Sequence, residues 1–287
     1  MRNRLLQTNP VAVLTLIFML LLSSTAITAN AQDNYLLQYK FKNGEKLQYK
    51  SERHDSTEST GMGGGASVRE MTIWSLQTLS VEDAKMDEYF KFSIKNDSTW
   101  TDQDQSMGEG MGMGRGMGGG RGRDHRMGGG GRDRSYEITP NGKSLSKDPP
   151  TFPFLIPLPE KAIAVNETWD FETVSEQKGR MQGKTTITGQ CLLFEIQKEG
   201  DLTLAIIIVN SQTKSDGKLN FQMQGMDPVT GSYNRSISAT NLVYFDVDKG
   251  RIIEVVGEET SESVTESSMF SSDSRSKAKT NVILVSE

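Results

Sequence analysis

From Tyr35 onward, apolar residues return at every second position: Tyr35, Leu37, Tyr39 and Phe41 are separated by Leu36, Gln38 and Lys40. A period of two puts alternate side chains on opposite faces of an extended strand, and an amphipathic helix cannot use it. The pattern recurs at Leu47/Tyr49, Phe90/Phe92/Ile94, Trp169/Phe171, Leu202–Val209, Leu219/Phe221/Met223, Leu242–Val247, Ile252–Val256 and Val282–Val285. Asn43-Gly44, Asn141-Gly142 and Lys249-Gly250 supply the left-handed turn residues that hairpins need. No window carries a sustained i, i+3, i+4, i+7 apolar stripe, so long helices are not expected. Leu204–Val209 (LAIIIV), with polar residues on both sides, reads as a strand buried on both faces.

The 287 residues contain 28 glycines, and 13 of them fall between Ser106 and Arg134 with five Met and six Arg. Glycine loses much entropy on ordering, and the block has almost no branched or aromatic residues to offset that loss. Residues 103–134 therefore read as a disordered insertion, with a smaller copy at Gly61–Gly65. Removing the block from the count leaves enough apolar sequence for a core.

The N-terminus has the form of an export signal. Arg2 and Arg4 precede the apolar run Val11–Leu22, and Ala29-Asn30-Ala31 is a small-x-small cleavage site. The run is about 12 residues, against the roughly 20 that a spanning helix needs. Residues 1–31 are thus expected to be a signal peptide, leaving no stable membrane span and an exported product, periplasmic or extracellular. The net charge of −5 gives no electrostatic reason to expect nucleic acid as a partner.

Self-comparison suggests an internal duplication. Gly44–Tyr49 resembles Asn166–Phe171, Thr72-Ile73 matches Thr186-Ile187, Phe90–Asn96 matches Leu204–Asn210, and Tyr136 with its turn matches Tyr244 with its own, all in the same order. Five of the eight prolines lie between Lys147 and Glu160, and proline is excluded from central strands. The expected organisation is a first β half at 32–146, an extended connector at 147–160 and a second β half at 161–287. The connector's Phe152, Phe154, Leu155, Ile156 and Leu158 should pack against the halves it joins. The Ser/Thr/Glu-rich tract Glu258–Lys279 reads as solvent-facing edge strands leading into a well-packed last strand.

Candidate chemistry is sparse. One Cys and two His exclude an intramolecular disulfide framework and a histidine-rich metal centre. Cys191 sits among apolar residues, as a small buried hydrophobe would, and His54 lies in a polar stretch that reads as a strand end or loop. No phosphate-binding glycine loop occurs. Met107, Met111, Met113, Met117 and Met127, with His125 among them, are soft donors that could hold Cu(I) or Ag(I). Drift in a tolerated insertion explains the same residues, because glycine spacing fixes no geometry. A hydrolase site built from scattered Asp and Glu is the other alternative. No cofactor is implied.

The opening Tyr39-Lys40-Phe41-Lys42-Asn43-Gly44-Glu45-x-x-x-Tyr49 after a signal peptide resembles a group of uncharacterised exported bacterial β-rich proteins. That resemblance implies an envelope location and a β-rich fold, and transfers no catalytic residues. More distantly, the pattern is similar to the half-barrels of periplasmic lipid and lipoprotein carriers. The expectation is an all-β protein of two similar antiparallel curved-sheet, half-barrel-like halves. Its expected role is a non-enzymatic envelope binding or scaffold module for an apolar ligand or a protein partner.

Overall fold

A computed structural model describes residues 33–60, 66–106, 134–146, 155–177, 181–221 and 229–286. Residues 1–31, where a signal peptide is expected, the small glycine cluster and residues 107–133 of the expected insertion lie outside the described residues. The four residues before that gap, 103–106, are strand and not part of an insertion.

The fold is all-β and antiparallel. In chain order the strands are β1 (Lys46–Thr60), β2 (Ala66–Lys85), β3 (Tyr89–Ser106), β4 (Arg134–Ile138), β5 (Thr168–Gln177), β6 (Met181–Glu199), β7 (Leu202–Phe221), β8 (Val229–Asp246), β9 (Arg251–Ser267) and β10 (Ser271–Ser286). All ten make one sheet, ordered β4-β3-β2-β1-β10-β9-β8-β7-β6-β5, that does not close into a barrel.

The expected pair of sheets is therefore a single one. β1 would otherwise present a free edge, and β10 pairs with it from Gln48↔Ser286 to Thr60↔Asp273. Strands from either side of the proline-rich stretch thus share a ladder, and Asn34–Glu287 form one compact unit. The self-similar segments fall on β1 and β5, β2 and β6, β3 and β7, and β4 and β8. Any pair of meanders gives that order, so it does not show a duplication. The Glu258–Lys279 tract is likewise not at an edge: β9 and β10 lie in the middle of the sheet, and it is their outward-facing residues that are exposed, with no described element packed over them.

The first apolar alternation has a different fate from the others. Residues 36–42 join no ladder of the sheet; they run extended beneath it, held by Tyr35 N–H to Ile163 O (2.7 Å), Tyr39 N–H to Pro140 O (2.8 Å) and Lys40 N–H to Gly250 O (3.1 Å). Gly44 turns the chain with φ 76° as Asn43-Gly44 predicts, but it joins this segment to β1 without a hairpin ladder. The reason is burial. Leu37, Tyr39 and Phe41 fill the core, and a segment surrounded by one sheet cannot also be a strand within it.

The sheet curls around that segment. Phe92 on β3 and Phe245 on β8 are joined through Phe41 and Tyr39 by ring-to-ring steps of 6.4, 5.4 and 5.7 Å. Strands five places apart in a flat sheet would sit about 24 Å from each other. Leu155, Ile156 and Leu158 of the connector enter the same core, extended and outside any strand as the prolines require.

Candidate functional site

Eight of the ten strands are 15 to 20 residues long, up to about 65 Å, and the apolar core occupies only one end of them. Register makes the change explicit. On the inner face, Leu193, Ile207, Val243, Val255 and Val282 are successive partners across five strands, all buried. Four residues further along, the same face reads Phe171, Gly189, Ser211, Ala239, Glu259, Ala278 and Asp55. Another four residues on, it reads Thr185, Ser215, Arg235, Ser263, Ser274, Ser59 and Ser67. An apolar floor thus becomes a hydroxyl floor with no second layer over it among the described residues.

The inner face is tied across the strands, from the edge of the apolar row outward. Five register pairs share side-chain hydrogen bonds: Ser51–Ser75 (2.6 Å), Ser59–Ser67 (2.9 Å), Thr185–Ser215 (2.9 Å), Ser261–Ser276 (2.7 Å) and Ser263–Ser274 (2.8 Å). Cross-strand hydroxyl pairs of this kind support a sheet in the absence of apolar packing. Where the two regions meet, the Arg53 guanidinium bonds Asp55 (Nε–Oδ2 2.7 Å) and Glu259 (3.2 and 3.3 Å). Burial disfavours the Arg53 charge, but the hydrogen bonds to Asp55 and Glu259 outweigh it and hold the guanidinium protonated. The sequence hides this cluster because Glu259 is 206 residues from Arg53.

The outer face carries a shallow, open depression of about 940 Å³ across the middle of β5 to β9. Its polar lining includes Asp170 and Gln190, joined at 3.0 Å, and Thr240 and Asn210, joined at 2.9 Å. These groups satisfy one another, and no nucleophile with a base lies among them.

The residues that the sequence marks for chemistry are dispersed. Met107, Met111, Met113, Met117, His125 and Met127 lie outside the described residues. His54 is in the middle of β1, not in a loop; its ring meets Thr72 (2.9 Å) and Glu52 (2.9 Å) on an exposed face. Cys191 is fully buried on β6, and burial, with a smaller contribution from the Asp170 charge, pushes its thiol up to about 12. A thiol so held is neutral and is not a nucleophile at ordinary pH. Among the described residues, no group of three or more His, Cys, Asp or Glu is placed to hold a metal ion.

The described concavity is occupied where it is apolar. Tyr39 lies at its centre, stacked on Phe41 (5.4 Å, 18°) and edge-on to Phe245 (5.7 Å, 80°). Its hydroxyl accepts from Ile156 N–H (2.8 Å) and donates to Ile156 O (3.1 Å). Trp169 Nε1–H donates to Pro157 O at 2.9 Å, so the connector is fixed from two sides. Comparison of the chain with protein-family models and with curated proteins finds no match.

Proposed function

We propose that this chain is an exported, non-enzymatic binding or scaffold module of a bacterial envelope that engages a protein partner through the bare half of its sheet. The observation that carries this reading is the mismatch between sheet and core: strands of 15 to 20 residues extend well past the apolar rows that stabilise them. Beyond those rows no second layer of described residues packs over the sheet and apolar burial is sparse, so its length points to use of its surface. The export reading is supported by Arg2, Arg4, the Val11–Leu22 run and Ala29-Asn30-Ala31. A protein partner is favoured over an apolar ligand because Leu37, Tyr39, Phe41 and Ile156 already fill the apolar end of the concavity.

The test is position-specific crosslinking in envelope fractions. A photoreactive residue at Ser238 or Thr57, on the bare half, should give discrete adducts. One at Lys85, at the end of β2 beside the core, should not. Equal adduct yields at all three positions would refute the reading. Saturable binding of an apolar-cavity dye by the folded chain would favour the carrier alternative instead.

A further inference from the structure

The two ends of the sheet are unequal. β4 covers β3 only from Phe90 to Ile94, and among the described residues nothing pairs with the outer side of β3 from Asn96 to Ser106. The direction of its amides follows from one contact. Val81 of β2 exchanges backbone hydrogen bonds with Gly44 (3.1 Å) and Glu45 (2.9 Å) on the β1 side. The β1–β2 register is unbroken, so Ser75, Ile73 and Met71 also face β1, while Trp74, Thr72 and Glu70 bond β3. Their partners Trp100, Asp102 and Asp104 therefore direct their backbone groups at β2. Thr99, Thr101, Gln103 and Gln105 direct theirs outward, each offering an N–H and a C=O that meets no partner strand among the described residues.

Two further features lie on this edge. Trp100 is 45% exposed and is the direct partner of Trp74, with Glu52 next in the same row. Between Asn96 and Ser106 the sequence carries Asp102 and Asp104 and no Lys or Arg, while Asp97 is already paired with Lys95 (3.5 Å) and accepts from Thr78.

We propose that the open edge of β3 from Thr99 to Gln105 takes an extended, basic peptide segment of a partner protein as an added strand, with Trp100 receiving one of its cationic side chains. The proposal rests on the reading of the chain as a binding module and names the partner's chemistry. Charge disfavours edge-to-edge pairing with a second copy. The opposite edge strand, β5, also carries three carboxylates (Asp170, Glu172 and Glu176) and no basic residue. Either edge-to-edge pairing would set acid against acid.

The experiment titrates the full-length chain with a capped alternating Lys-Val octapeptide, with the matching Glu-Val peptide as control. The Lys-Val peptide should bind and the Glu-Val peptide should not. Thr101→Pro removes an outward N–H without touching the β2–β3 ladder, so the fold should persist while affinity falls at least about tenfold. Trp100→Ala should weaken binding about threefold to fivefold. A Lys-Val peptide N-methylated at alternate amides should not bind the unmodified chain, a test independent of how any variant folds. Undiminished binding by Thr101→Pro or by the methylated peptide would overturn the proposal. So would binding that appears only after residues 107–133 are deleted, which would place the chain's own segment on the edge. Ser238 adducts that persist unchanged in Thr101→Pro would remove the edge while leaving the binding-module reading intact.

Discussion

Tyr39→Phe isolates the hydroxyl that joins the inner segment to the connector. The substitution keeps the ring, and with it the stacked contact to Phe41 and the edge contact to Phe245. It removes only the oxygen that accepts from Ile156 N–H at 2.8 Å and donates to Ile156 O at 3.1 Å. Both backbone groups are then left buried without that partner, since Ile156 is 1% exposed. Each such group costs about 1–3 kcal/mol, and no longer burying a phenol hydroxyl returns about 1 kcal/mol. With both groups at the middle of that range, the net loss should be near ~3 kcal/mol. Equilibrium unfolding in urea measures it: with an m-value of about 2–3 kcal/mol/M for a chain of this size, the midpoint should fall by about 1–1.5 M at unchanged m. An unchanged or raised midpoint would refute the reasoning. It would mean that hydrophobic filling alone holds the inner segment, and that the connector is not anchored through Ile156.

Two other outcomes follow from buried charge and from burial itself. Arg251 at the start of β9 meets Glu45 at 2.9 Å, with both side chains largely buried, so Glu45→Gln should cost about 3–5 kcal/mol; if the urea midpoint stays within error, the pair is not holding the turn to the sheet. Burial holds the Cys191 thiol at about 12, against roughly 8.5 in an unfolded chain. Below that lower value both states keep the proton. Above it the unfolded state releases it first, so stability should fall with rising pH by about 1.4 kcal/mol per unit. Tyr39 adds a fall of the same sign only above about pH 10, because burial raises its hydroxyl as well. Unfolding at pH 9 and pH 10 should therefore show a decline that Cys191→Ala abolishes, and an equal decline in both proteins would place the thiol in solvent.

Period-two alternation made the strand content legible, because a face either meets the core or meets water and the sequence records which. Phe90/Phe92, Trp169/Phe171, Ile252–Val256 and Val282–Val285 all lie on strands for that reason. The same signal misplaced residues 36–42, since alternation reports two unlike faces and cannot say whether a segment pairs with neighbours or lies beneath them. Pairing of β1 with β10 was illegible for a related cause: its partners, such as His54 and Lys279, are joined by register alone and carry no mark of each other in sequence. The Ser/Thr/Glu tract read as edge strands because polar faces on a central strand are expected only when nothing covers the sheet. The inner cluster shows the boundary most sharply. Arg53 and Asp55, two apart, share a face by periodicity, whereas Glu259 joins them through the β9–β10–β1 ladder.

How the bare half persists without a core bears directly on its use as a surface. Its apolar contributions are few: Leu219 and Val229 are buried towards its far end, the Phe171 ring occupies the space above its partner Gly189, and the Tyr233 ring does so above Gly217. A Cβ at either glycine would collide with the facing ring, so these glycines are seats for single aromatics on an otherwise polar floor. Between them the strands hold by ladder bonds and by hydroxyl pairs, terms of about 1 kcal/mol or less each. Such terms cannot set a register alone, because Ser and Thr repeat at every second position and a slip of two residues would satisfy most of them again. Register must come from the other end, where Leu193, Ile207, Val243, Val255 and Val282 fix one alignment by volume. The apolar end thus acts as the template and the polar end as the surface it holds in place. A substitution in the core should therefore disturb partner engagement far along the strands, whereas a Ser-to-Ala change on the bare floor should leave the core untouched.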